Sequence, residues 1–277
     1  MSGFKLQRLG MIMEPEPGNP HEVEGVLNPG VARGPDGELY LFPRLVAKGN
    51  YSRIELAHVD DKDASMFPVA IPNSAGKLEL GMLHRPLFPG TRPEETVCEP
   101  GPRQVDLNHE SIWISYCPPE LMSETPDRLG QFTSHHRLAT PVSPWERLKI
   151  GAGTPPILTK HGWLIVYHGV SEVTGGGDDG HHLCYSAGVM VLSKEHPREI
   201  RYRSVDPVLT PVLPQERDGT VANVVFPTGI DRRDDLGNPD RLDVYYGMAD
   251  SRIGVARLDL PEQIPAEAVA DAPGAKV

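Results

Sequence analysis

The sequence predicts an all-β fold of repeated blades, and three observations carry that prediction. Glycine and proline, 28 and 29 of the 277 residues, are spread along the chain rather than clustered. That distribution suits many short strands joined by tight turns and works against long helices. Short runs rich in β-branched and aromatic residues recur, each bounded by turn residues. These runs come in pairs that form a degenerate repeat of roughly 40 residues, the size of a propeller blade.

The elements follow in order. Glu38 to Phe42 comes after the turn Gly34-Pro35-Asp36-Gly37 and is followed by a second strand-like piece, Ser52 to Ala57. Leu78 to Leu83 follows Asn73-Ser74-Ala75-Gly76 and is paired with Ser111 to Tyr116. Trp163 to Tyr167 follows His161-Gly162 and is paired with Ser186 to Leu192. Leu242 to Tyr246 follows Asn238-Pro239-Asp240 and is paired with Ile253 to Leu258. Each first member ends on polar groups: Arg44; His84-Arg85; Tyr167-His168; Tyr246 leading to Asp250. Blades that converge on a central channel would bring these endings into one pocket. A β-sandwich or two small β domains would fit the periodicity as well. Pro261 to Glu267 reads as a short turn, Thr174 to Gly180 as a flexible loop, and Asp231 to Asn238 as a charged surface hairpin. One domain over residues 1–265 with a flexible tail at 266–277 accounts for the whole chain.

Composition narrows the function. The formal net charge of -11 repels a phosphate backbone, so nucleic acid is excluded as a partner. A small anion held by a local basic cluster is compatible with it. Cys98, Cys117 and Cys184 are too few and too widely spaced for a zinc pattern or a disulfide framework. The first residues show no signal-peptide core, and no stretch approaches a membrane span, so a cytoplasmic protein is expected. The pairs His135-His136 and His181-His182 are poor chelates, because neighbours on a strand point to opposite faces; no metal is expected. Trp113, Trp145 and Trp163 could stack on sugars, although core packing is commoner for strand tryptophans.

Several motifs carry a resemblance. Lys149-Ile150-Gly151-Ala152-Gly153-Thr154-Pro155-Pro156, Gly162 to Gly169, Asn223 to Gly229 and Tyr245-Tyr246-Gly247-Met248-Ala249-Asp250 closely resemble the signature of glycoside hydrolase family 130. Asn28-Pro29-Gly30, Leu41-Phe42-Pro43-Arg44, Tyr51-Ser52-Arg53-Ile54 and His84-Arg85-Pro86 fit the same family, in order along the chain. The resemblance implies a five-bladed β-propeller acting on β-mannosides. Many members are phosphorylases that release mannose 1-phosphate with inversion, and others hydrolyse β-1,2-mannosides.

The family's general acid is the Asp of a Glu-Asp-Pro-Arg motif in the second blade, and that motif is absent from this sequence. Only His58, Val59, Asp60 and Asp61 separate the pieces that should flank it, so a four-bladed or incompletely closed propeller is expected. Glu99-Pro100-Gly101-Pro102-Arg103 lies on the wrong side of His84-Arg85-Pro86 to replace it.

By the same resemblance Arg85, Lys149, His168 and Tyr246 match phosphate-holding positions, and Asn28, Arg44, Arg53, Asp63 and Asp250 match sugar-binding ones. The chemistry suits both roles: Arg and Lys hold oxyanions, and carboxylates and amides bind hydroxyls. Surface ion pairs at Arg85 and Lys149, and turn or cap roles for residues such as Asn28, are the structural alternatives. The expected ligands are a small oligosaccharide and inorganic phosphate as co-substrate, with no cofactor. A homo-oligomer stays open. The resemblance implies an inverting β-mannoside phosphorylase, with a non-catalytic sugar- or phosphate-binding propeller or a β-1,2-mannoside hydrolase as the competing functions.

Overall fold

The computed structural model describes residues 3–49, 51–52, 61–86, 110–120, 132–173 and 182–266. The fold is all-β and propeller-like: among the described residues the strands form four antiparallel sheets that follow one another along the chain. Sheet I holds β2 (Gly25–Arg33), β3 (Leu39–Ala47) and β4 (Tyr51–Ser52). Sheet II holds β5 (Asp61–Met66), β7 (Leu78–Pro86), β8 (Ile112–Cys117) and β9 (Thr133–Ala139), with β6 (Ile71–Pro72) on β7. Sheet III runs β10 (Lys149–Gly151), β12 (Gly162–Val173), β13 (His182–Leu192), β14 (Ile200–Arg203), with β11 (Ile157–Thr159) on β12. Sheet IV runs β15 (Val225–Arg232), β16 (Arg241–Met248), β17 (Arg252–Asp259) and then β1 (Leu6–Met13).

The expected turns close as read, with Gly37 N–H donating to Gly34 O and Gly76 N–H to Asn73 O. The β12–β13 pair shows how sequence becomes packing. Leu164, Ile165, Val166 and Tyr167 are all fully buried, although alternate residues face opposite ways. Leu164 and Val166 join a core with Val244 and Tyr246 of sheet IV, whereas Ile165 and Tyr167 join one with Leu83 and Ile114 of sheet II. A blade covered on both faces therefore reads as a continuous apolar run.

Two features were not foreseen. The first strand, β1, pairs with the last, β17, from Leu6↔Leu258 to Met13↔Ile253. Its weak pattern, with Leu9, Met11 and Ile12 exposed, gives no periodic signal. The second is a duplicated latch. Glu146 of Pro144-Trp145-Glu146-Arg147 accepts from the Val142 and Ser143 N–H groups, from Tyr167 Oη (2.9 Å) and from Arg203 Nη2 (2.8 Å). Glu216 of Pro214-Gln215-Glu216-Arg217 accepts from the Val212 and Leu213 N–H groups, from Tyr246 Oη (3.0 Å) and from Arg8 Nε (2.7 Å). Both carboxylates are fully buried and fully used, as buried charge requires.

The hairpin at Asp231 to Asn238 is less of a surface feature than its charges suggest. Asp231 and Asp243 are buried and bonded by Arg33, Arg233 and Arg241. Residues 174–180, 267–277 and the segment with Glu99 to Arg103 lie outside the described residues.

Candidate active site

The site is built at the innermost strand of each sheet, β2, β5, β10 and β15, and at the strand beside it. The register repeats from sheet to sheet. Leu27 pairs with Arg44, Lys62 with Arg85, Gly151 with His168 and Phe226 with Gly247. After the first two of these pairs the inner strand bulges, at Asn28 and at Asp63; in β15 it bulges between Pro227 and Gly229. Bulges re-aim side chains, and they do so here with Asn28 at φ 46° and Asp63 at φ 59°. Asp250, in the β16–β17 turn, is also left-handed at φ 48°. Asn and Asp tolerate that region better than most residues, and non-glycine positive φ clusters at working sites.

The repeat explains how residues far apart in sequence meet. Arg85 lies against two carboxylates: its Nε is 2.8 Å from Asp63 Oδ2, and its Nη1 is 2.7 Å from Glu110 Oε2. Lys149 Nζ is 3.9 Å from Glu110 Oε1 and 5.9 Å from the centre of the Tyr185 ring. His168 is fully buried, with Nε2 3.5 Å from Asp63 Oδ2 and its ring 4.3 Å from that of Phe226. Burial first, and then the charges of Arg85 and Lys149, hold the His168 imidazole well below the usual histidine range. It is neutral at pH 7.

A second group stands beside the first. Asn28 Oδ1 occupies the space that a side chain at Gly247 would fill, 2.6 Å from the Cβ position there. Asp250 belongs to the same wall, because the Asp250 carbonyl lies 2.8 Å from the Cβ position of Gly25 on β2. Burial pushes the Asp250 carboxyl up, and the Arg44 charge opposes that shift. Tyr185 links the groups: burial raises its hydroxyl, Arg85 lowers it, and Asp250, Asp63 and Glu110 all add to the rise.

Arg85, Lys149, His168 and Asp63 are thus in one cluster, with Asn28, Arg44 and Asp250 in its neighbour. Arg53 lies outside the described residues. Tyr246 is set apart. It pairs with Pro227, one residue off the Arg44–Arg85–His168 position, so alternation turns it to the opposite face. Its fully buried ring lies in the core and its hydroxyl donates to Glu216, as Tyr167 does to Glu146. Gly247 takes the equivalent register position instead.

Sequence reasoning missed Glu110, Tyr185 and Phe226. Glu110 and Tyr185 are brought in by bridges between sheets, Glu110↔Lys149 and Tyr185↔Val224, which no local pattern announces. His135 and His136 diverge as alternation requires, one bonded to Ser115 and the other to Arg198. Trp163 is core, stacked edge-on against Phe67, and Trp145 packs on Tyr167. Among the described residues no three His, Cys, Asp or Glu side chains form a metal-binding group.

The comparisons agree with this architecture. The family model described as beta-1,4-mannooligosaccharide phosphorylase, glycoside hydrolase family 130, matches residues 101–265. The chain belongs to glycoside hydrolase family 130. It is 32% identical over 203 residues to a 1,2-beta-oligomannan phosphorylase of a Thermoanaerobacter species, covering 73% of this chain and 52% of that protein. It is 36% identical over 136 residues to a beta-1,4-mannooligosaccharide phosphorylase of Ruminococcus albus, covering 49% of this chain and 38% of that one. The chain therefore spans about half, or less, of the length of these relatives. Among solved structures, the beta-1,2-mannobiose phosphorylase of Listeria innocua in complex with beta-1,2-mannobiose aligns with TM-score 0.55 at 23% identity. That alignment covers 88% of this chain and 61% of the other, a likeness of fold.

Proposed function

We propose that this family-130 chain binds a β-mannoside and inorganic phosphate and carries out inverting phosphorolysis to mannose 1-phosphate. The observation that carries the proposal is the meeting of Arg85 and Lys149 at Glu110, next to the neutral, buried His168 and beside the polar wall of Asn28, Arg44 and Asp250. Two cations from different sheets suit an oxyanion, and the amide and carboxylates suit sugar hydroxyls. Phosphate is already a nucleophile, so the site needs no carboxylate to activate water. A phosphate oxygen attacks the anomeric carbon, the glycosidic C–O bond breaks, and the departing oxygen takes up a proton. The names of the Thermoanaerobacter, Ruminococcus and Listeria relatives support the same chemistry. The free thiols of Cys117 and Cys184 suit a reducing cytoplasm.

The absence of the family's Glu-Asp-Pro-Arg motif favours a second reading, a sugar- and phosphate-binding protein without turnover. General acid catalysis contributes about 10²–10⁴-fold, so phosphorolysis without that acid should be slower by about that factor than in a relative carrying it. The deciding experiment incubates the chain with β-1,2-mannobiose, β-1,4-mannobiose or mannosyl-glucose, with and without phosphate. Phosphate-dependent mannose 1-phosphate establishes phosphorolysis. Free mannose without phosphate establishes hydrolysis. Calorimetric binding with no product establishes the binding protein.

A further inference from the structure

The ion pairs of the cluster have a consequence for the phosphate reading, on which the following rests. Glu110 is fixed by its backbone at the junction of sheets II and III, where the Ile150 N–H donates to its carbonyl (3.0 Å). From there its carboxylate spans the two cations, 2.7 Å from Arg85 Nη1 and 3.9 Å from Lys149 Nζ. Asp63 takes the other side of Arg85, at Nε. The charges of this cluster cancel: Arg85 and Lys149 are positive, Asp63 and Glu110 negative, and His168 neutral. A phosphate dianion arriving here meets no net attraction while Glu110 holds its place.

We propose that Glu110 is a resident anion that occupies the Arg85–Lys149 oxyanion position and sets the affinity of the site for phosphate. Asp63 is the less exposed of the two carboxylates, at 11% against 31% for Glu110, and it lies on the His168 side. Glu110 is therefore the one that can turn out toward solvent when an oxyanion enters. Phosphate then replaces a carboxylate that makes one short contact, to Arg85, with several charge-assisted ones. Glu110 acts as a specificity-determining residue: it rejects weakly charged anions that cannot displace it and yields to a dianion.

The test is calorimetric titration of inorganic phosphate into the full chain and into its Glu110→Gln, Glu110→Asp and Lys149→Met variants, each also titrated with β-1,2-mannobiose. Removing one unit charge about 4 Å from the ligand should tighten phosphate about tenfold or more in Glu110→Gln. Sugar affinity should stay unchanged, and Glu110→Asp should stay close to the parent because its charge remains. A fold defect cannot imitate a gain in affinity. Phosphate bound by the parent and lost in Lys149→Met, with Glu110→Gln equal to or weaker than the parent, would overturn the role of Glu110 and leave the phosphate site standing. No phosphate binding by the parent or by Glu110→Gln would overturn both.

Discussion

His168 and Tyr246 show how one step along a strand decides a role. His168 is fully buried between Asp63 and Phe226, so its charged form is disfavoured. Its folded pKa lies well below the ordinary 6.5, which fixes the sign of its effect on stability. Well above pH 6.5 neither state carries the proton. Below it the unfolded chain takes up a proton that folded His168 refuses, so stability is lost as pH falls. The loss approaches about 1.4 kcal/mol per pH unit for one such group. Urea midpoints should therefore fall between pH 7 and pH 5.5, and His168→Asn should flatten that dependence. Tyr246 faces the other way. Tyr246→Phe should cost about 1 kcal/mol by removing one donor from buried Glu216, while phosphate affinity measured by calorimetry stays at the parent value. A tenfold loss of phosphate affinity would return Tyr246 to the site.

At the scale of elements, the two Pro-x-Glu-Arg segments are the recurring device. Each places a buried glutamate against a central strand and fastens it with a tyrosine from that strand and an arginine from an outer one. In sheet III the arginine is Arg203 on β14. In sheet IV it is Arg8 on β1, so the latch also ties the first strand to the last sheet. Arg203 and Glu146 are both fully buried, and breaking such a pair by removing one partner costs about 3–5 kcal/mol. Arg8 keeps part of its hydration, at 24% side-chain exposure, so Arg8→Met should cost less, about 2–3 kcal/mol. Arg203→Met should lower the denaturation midpoint of the whole chain. Arg8→Met should in addition release β1, read as faster amide exchange at Leu6 to Met13 and early proteolysis there. Equal exchange in both variants would mean that β1 is held by its ladder to β17 alone.

At the scale of the molecule, sheet III is shared by two cores. One lies against sheet IV and one against sheet II, and sheet I is joined to sheet IV through Thr228 Oγ1, which donates to Pro29 O (3.0 Å). Sheets coupled in this way should melt together. We expect one calorimetric transition whose van't Hoff and calorimetric enthalpies agree, and a radius of gyration of about 19 Å for a compact chain of this length. Two separated transitions would show that the sheets do not unfold as one unit.

The strands of the second, third and fourth repeats were legible because each buries apolar residues locally and is punctuated by Gly, Pro, Asn or Asp. The polar endings at Arg44, Arg85 and His168 were legible for the same reason: they recur at one place in the repeat. The β1–β17 pairing was not, since a hydrogen-bonded ladder between residues 6 and 258 leaves no mark in local periodicity. The facing of Tyr246 was not, because a one-residue offset in register inverts a side chain without altering the motif around it. Glu110 and Tyr185 were not, because bridges between sheets deliver them. The sequence alone thus determined the all-β class, the family and most of the residues that meet. Only the tertiary structure decided which of them share a face and that Glu110 already sits on its cations. Charge balance in a pocket is a property of distances across sheets, and a linear sequence does not contain them.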